Sequence, residues 1–172
     1  DNRFAKKAIE KGADGLIAVS AGAGGHAGQQ SPFALIQEIR EWFNGPLLLS
    51  GAIATGRAVL AAQVMGADLA YIGSPFIATN EAKAVGEYKQ MIVESGAEDI
   101  VYSSLFTGVH GNYLKPSIRN AGLDPDDLEH ADASSMNFGQ GASKPKAWSA
   151  IWGAGQGIGA IHQVRPAGEY ID

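Results

Sequence analysis

Apolar residues along this chain follow two alternating rhythms, short unbroken runs and longer stretches with helical spacing. Residues 2–11 set Phe4, Ala5, Ala8 and Ile9 on one stripe and stop at Gly12, which predicts a helix. Leu16-Ile17-Ala18-Val19 then predicts a short strand buried on both faces. Ser31-Pro32 opens a helix carrying Phe33, Leu35, Ile36, Ile39 and Phe43, and Asn44-Gly45 ends it. A second strand follows at Leu47-Leu48-Leu49-Ser50. Thr55 caps a helix to about Met65, with Val59, Leu60, Ala62 and Val64 available for packing. Leu69-Ala70-Tyr71-Ile72 is the third strand, and Thr79 caps a helix to about Glu94 that contains Tyr88, Met91 and Ile92. Gly-Ala-Asp occurs at 12–14 and again at 66–68, each time between a helix end and a strand.

Strands alternating with helices predict an α/β chain with parallel pairing and right-handed crossovers. An open doubly wound sheet and a closed (β/α)8 barrel both accommodate the pattern. Three strands complete neither, and a lone three-stranded parallel sheet leaves two open edges. The chain is therefore expected to be a portion of a larger molecule. From residue 96 the character changes. Residues 97–145 mix short apolar pieces with Gly, Asn, Pro and Asp and read as an irregular excursion, with short helices near 115–121 and 134–136. That excursion is the candidate surface for a homo-oligomer. Residues 148–159 begin helix-like and turn glycine-rich, and Trp148 and Trp152 predict docking onto the main body. The expected division is 1–95 for the αβ units and 96–172 for a partly helical C-terminal extension.

Composition narrows the class. At 172 residues, 45% apolar and 18% charged, the chain reads as globular. Its net charge of −5, with acids and bases interspersed, provides no basic stripe for nucleic acid. No apolar run approaches the roughly 20 residues that span a bilayer, so no membrane partner is expected. Zero cysteines remove disulfides, thiolate metal sites and thiol catalysis, and fit a reducing cytoplasm as the expected location. The 23 glycines cluster where strands end, which suggests backbone that something must approach closely.

Three constellations could carry chemistry. Gly22-Ala23-Gly24-Gly25-His26-Ala27-Gly28 follows the first strand, and His26 offers an imidazole there. A solvated histidine in a flexible loop is the alternative. Ser50-Gly51-Ala52-Ile53-Ala54-Thr55-Gly56 joins a strand end to a helix start, where free amides and the helix dipole suit phosphate. Ile72-Gly73-Ser74-Pro75-Phe76 repeats that arrangement 22 residues further on, the spacing of successive βα units. Either alone is ordinary turn chemistry; paired, they suggest a shared phosphate site. His110 lies in a polar loop where a structural role is expected. His130 and His162 have no partner at metal-ligand spacing, and no metal is expected. The glycine string at 153–159 lacks the preceding strand and following acid of a dinucleotide fingerprint.

Together these segments, with Gly66-Ala67-Asp68 and the tail Trp148-Ser149-Ala150-Ile151-Trp152-Gly153-Ala154-Gly155-Gln156-Gly157, resemble the nitronate monooxygenase (2-nitropropane dioxygenase) family. The resemblance implies an FMN-binding TIM (β/α)8 barrel to which this chain supplies about the last three βα units, the missing N-terminal half completing it. It implies His26 as the base that takes an α-proton from a nitroalkane, with molecular oxygen as co-substrate. Gly24, Gly25, Ser50, Gly51, Ala52, Gly73, Ser74 and Gln156 are the implied FMN contacts. The family often has Gly-Gly where this chain has Gly51-Ala52, and Gly-Thr-Arg-Phe where it has Gly73-Ser74-Pro75-Phe76. Serine keeps the hydroxyl, while proline removes an N–H and a positive charge. An FMN-dependent enoyl-acyl-carrier-protein reductase of the same fold is the rival. A half-barrel fragment that binds a phosphate ligand without catalysis is the other.

Overall fold

The computed structural model describes residues 1–128 and 150–172. The helix expected at 134–136, His130 and Trp148 lie outside the described residues. The order is α1 (Asn2–Glu10), β1 (Leu16–Val19), β2 (Gly25–His26), α2 (Pro32–Arg40), β3 (Leu47–Ser50), α3 (Gly56–Met65) and β4 (Leu69–Ala70). Then come α4 (Ser74–Ile77), α5 (Gly86–Glu94), β5 (Ile100–Ser103), β6 (Gly111–Leu114), α6 (Lys115–Asn120) and α7 (Ala167–Ile171).

The three expected strands form one parallel sheet in the order β1-β3-β4. Leu16, Ala18, Leu47 and Leu49 are buried against Leu35, Ile36 and Ile39 of α2 and Ala62 of α3, with Ala5, Ala8 and Ile9 of α1 at the margin. The opposite face is bare. Ile17, Leu48 and Leu69 share one row across the sheet, and Ile17 and Leu69 are 50% and 58% exposed. This corrects the expectation that residues 16–19 are buried on both faces: no described element covers the second one. Phe4, Phe33, Leu60 and Val64, on the apolar positions of their helices, are likewise exposed.

One helix expectation changes. Thr79 caps nothing; its hydroxyl donates to the Phe76 carbonyl, 2.8 Å away. Residues 78–80 pair with Arg165 instead, through Arg165 N–H to Ala78 O and Asn80 N–H to Arg165 O. Of the helix expected from Thr79 to about Glu94, only α5 forms, and α4 lies before Thr79. The excursion also contains a hairpin, β5 and β6, to which β2 adds to give an antiparallel sheet β2-β6-β5. Only α6 matches the helix expected near 115–121.

The repeated Gly-Ala-Asp has a physical basis. Gly12 and Gly66 both have positive φ. Gly12 N–H reaches Ile9 O and Ala13 N–H reaches Ala8 O, just as Gly66 reaches Gln63 O and Ala67 reaches Ala62 O. This is the paired left-handed helix closure that glycine permits. Gly122 closes α6 with the same pair of bonds, to Arg119 O and from Leu123 to Ile118 O. Asp68 then fixes the start of β3, accepting from Leu47 N–H at 2.8 Å and from Arg40 Nη2 at 2.9 Å. The Leu47 bond first, and Arg40 second, hold its carboxyl below the usual 3.8. A carboxylate with a depressed folded pKa adds stability above its unfolded pKa, and that stability is lost as pH falls through the folded value. Asp68→Asn should lower the urea midpoint at neutral pH, with the gap to the parent closing on acidification below 3.8. A gap that does not change with pH would count against this account.

Candidate functional site

The site begins where the parallel strands stop. Ser20, one residue past β1, is fully buried, and its hydroxyl donates to Ser50 O at 2.9 Å. Gly51 packs so tightly on it that a Cβ would fall 2.2 Å from Ser20 Oγ. Ala52 follows at φ 54, the one non-glycine with positive φ among the described residues. Gly22 O accepts two amides, from Ala52 at 3.1 Å and Gln156 at 2.9 Å, tying three distant segments together. The glycine string of the tail lies backbone on backbone against the loop after β1. A Cβ on Gly24 would meet Gly155 N at 2.8 Å, and one on Gly155 would meet Gly22 O at 2.7 Å.

Between the strand ends is a slot of about 30 Å³ lined by Gly22, Gly51, Ala52, Ile53, Gly73 and Ser74 among others. That is room for a group somewhat larger than one water molecule. The amides of Gly51, Ile53, Gly73 and Ser74 donate to no group among the described residues. Ser74 Oγ accepts the Gly155 N–H at 2.8 Å, which leaves its own proton for another acceptor. No charged side chain lines the slot, so amides and a hydroxyl supply its polarity.

The slot opens into a cleft of about 320 Å³ that shares Gly24, Ser50, Tyr71, Gly73 and Ser74 with it. Tyr88 and Trp152 line this cleft and stack with centroids 4.8 Å apart and planes at 18°. The Tyr88 hydroxyl donates to Gly153 O. Burial pushes its pKa up to about 12, so it stays a donor.

Of the residues expected from sequence, Gly24, Gly25, Ser50, Gly73 and Ser74 line the cleft, and Gly51 and Ala52 line the slot. Gln156 lines neither; its side chain lies against Gly22. His26 also lines neither, although Gly25 beside it does. It is held on β2 by pairing with Gly111, and its Nε2 lies 2.8 Å from Thr107 Oγ1. His110 stacks on Tyr102 at 5.1 Å, a structural role. Tyr71, Tyr88, Ile77 and Ile151 were not legible as site residues, since none sits in a glycine cluster. Trp152 stands directly before the tail glycines, and that adjacency was the available signal. No group of three or more His, Cys, Asp or Glu that could hold a metal occurs among the described residues. No helix among them is long and apolar enough to cross a membrane.

A glycine slot and an aromatic cleft lie at the carboxyl ends of the parallel strands of this α/β chain, the place where such folds carry their sites. Comparison with known proteins makes the assignment specific. The nitronate monooxygenase family model matches residues 3–172, and the chain belongs to that family. The nitronate monooxygenase of Neurospora crassa is 27% identical over 97% of this chain and 49% of its own length. That of Paraburkholderia phytofirmans is 27% identical over 93% of this chain and 48% of its own. Nitroalkane oxidase from Streptomyces ansochromogenes superposes with TM-score 0.74 at 26% identity, covering 99% of this chain and 53% of that one. FabK from Thermotoga maritima superposes with TM-score 0.78 at 25% identity, covering 99% and 56%. The chain spans about half the length of the relatives it matches.

Proposed function

We propose that this chain forms the phosphate-binding end of an FMN-dependent oxidoreductase that oxidises nitronates and nitroalkanes with molecular oxygen. The observation that carries the reading is the slot at two adjacent strand ends, lined by Ser74 and by residues whose amides donate to no group among the described residues. Phosphate oxygens accept from such donors, and the amides of buried Gly51 and Ile53 need an acceptor most. The slot would take oxygens of a phosphate head, and the adjoining cleft would offer the stacked Tyr88 and Trp152 to a flat ring. Gly51, Ala52, Gly73 and Ser74 would hold the phosphate, with Gly24, Gly25 and Ser50 toward the ring and Gln156 bracing Gly22.

FMN, when bound, supplies the redox chemistry. The chain's own part is to hold substrate and move a proton. His26, next to the cleft wall, would take the α-proton of a neutral nitroalkane as general base. A nitronate arrives without that proton and does not need the base. Pro75 stands where the family often has arginine, so charge neutralisation at the slot falls to the amides. The bare rows of the first sheet and its two open edges leave room for the remaining βα units of a (β/α)8 barrel. These would come from the other half of a polypeptide as long as the relatives.

The test is a fluorescence titration of FMN with the complete polypeptide, followed by oxygen uptake with a nitronate. Ala52→Gly is the informative variant. It relieves a left-handed alanine, raising stability by up to about 1 kcal/mol, and removes a methyl from the slot wall, tightening FMN severalfold. Failure to bind FMN, or absence of oxygen uptake by loaded protein, overturns the proposal.

A further inference from the structure

Two loops supply most of the slot, one leaving β3 with Gly51, Ala52 and Ile53 and one leaving β4 with Gly73, Ser74 and Pro75. β3 and β4 stay paired as far as Leu49 and Ala70, and the Tyr71 N–H still reaches Leu49 O at 2.7 Å. Past that point no backbone hydrogen bond joins residues 50–55 directly to 72–77 among the described residues. Their separation therefore depends on groups that touch both. The glycine tail is one, since Gly155 N–H bonds Ser74 Oγ and a Cβ on Gly157 would lie 2.9 Å from Ala52 O. Tyr170 is another. Its hydroxyl donates to Ala54 O in the first loop. Its ring meets Phe76, in the second, edge to face with centroids 5.4 Å apart at 73°.

Tyr170 is itself held in place. Pro166 precedes α7, and one turn on, the Tyr170 N–H bonds Pro166 O at 3.3 Å. The guanidinium carbon of Arg165 lies 4.7 Å from the Tyr170 ring centroid, and the Arg165 backbone is bonded to Ala78 and Asn80. Burial raises the Tyr170 pKa above its usual 10.0 by more than Arg165 lowers it, so the hydroxyl donates at neutral pH. A cavity of about 410 Å³ borders the same two loops, lined by Ala54, Thr55, Phe76, Arg165 and Tyr170 among others. Of its lining residues only Ile72 also lines the slot. Tyr170 stands in that cavity and not in the slot, so it acts on a ligand in the slot only through the loops.

We infer that Tyr170 is a positioning residue for the slot, setting the distance between the β3 and β4 loops so that their amides converge on one anion. The inference rests on the slot being the phosphate site, as proposed above. Donors held at hydrogen-bond range before the anion arrives bind it well; donors that must be gathered lose affinity to the ordering. A phenol suits the task, because one rigid side chain offers a polar tip to a carbonyl and an apolar edge to a ring. Phenylalanine keeps the second contact and lacks the first.

The test compares two flavins that differ only in the phosphate, FMN and riboflavin, titrated by fluorescence into the complete polypeptide and its variants. The parent should bind FMN more tightly than riboflavin. Tyr170→Phe should weaken FMN about three- to tenfold, the effect of one hydrogen bond, and leave riboflavin unchanged. Tyr170→Ala, which also removes the contact with Phe76, should weaken FMN further and again spare riboflavin. Because Tyr170→Phe keeps the ring, the comparison stands even if Tyr170→Ala fails to fold. A Tyr170→Phe protein that keeps the parental preference, or that loses both flavins equally, overturns the inference and leaves the phosphate reading intact. A parent that does not prefer FMN to riboflavin overturns both.

Discussion

Replacing Gly51 by alanine is expected to cost about 3 kcal/mol or more, a large share of what holds a domain folded. Two independent penalties combine. The first is conformational: Gly51 sits at φ 147, where a side chain strains the backbone. The second is steric: the new Cβ would fall 2.2 Å from Ser20 Oγ and 2.8 Å from Ala21 O. Ser20 cannot yield cheaply, because it is fully buried and its hydroxyl is bonded to Ser50 O. Gly56→Ala is the control. Nothing lies within 4 Å of a Cβ there, and the residue opens α3, so the change should be neutral or slightly favourable. Urea midpoints of the two variants check the contrast. A Gly51→Ala protein as stable as the parent would falsify the description of this strand end.

The second large effect is on chemistry. If His26 is the proton acceptor, His26→Gln should lower kcat/KM for a neutral nitroalkane by about 10²- to 10⁴-fold. The same variant should turn over a preformed nitronate at close to the parental rate, because that substrate has no α-proton to lose. Comparing both substrates in one FMN-loaded preparation separates loss of the base from damage to the site. Equal losses on both would place His26 in the architecture of the loop and not in proton transfer. Full activity on both would remove it from the mechanism.

How much of this was readable beforehand depends on how local each determinant is. Leu16-Ile17-Ala18-Val19 and Leu47-Leu48-Leu49-Ser50 were legible as strands because four apolar residues between turn signals have few alternatives. Gly51, Gly73 and Ser74 were legible because a strand end, a glycine and a helix start adjoin in sequence. Thr79 was misread because its helix-capping propensity is local, whereas the pairing with Arg165 that displaced it is 86 residues away in sequence and invisible to a window. The hairpin was missed for a similar reason. Gly111-Asn112-Tyr113-Leu114 has poor strand composition, yet it is buried and paired on both sides. Gly111 serves there as the place where Gly25 O comes within 2.7 Å of a would-be Cβ. Thr107 carries no motif at all; only the fold brings it to His26. Phe4 and Ile17 were assigned to the core on hydrophobicity, and they are exposed because no described element lies over them.

The contact between Ser74 and Gly155 spans 81 residues of chain, and Gly22 binds Gln156 across a still longer separation. Closing loops of that length is paid for in chain entropy before any contact rewards it. The parallel sheet with α1 to α3, in which neighbours in space are near neighbours in sequence, can form early. The slot cannot, because Gly155 on one of its walls stands 81 residues beyond Ser74 on another. Folding is therefore expected to pass through a stage in which the sheet is formed and the slot is not yet closed. A ligand bound in the slot, as proposed, would act at the end of that process, as the clasp that makes the final closure hold.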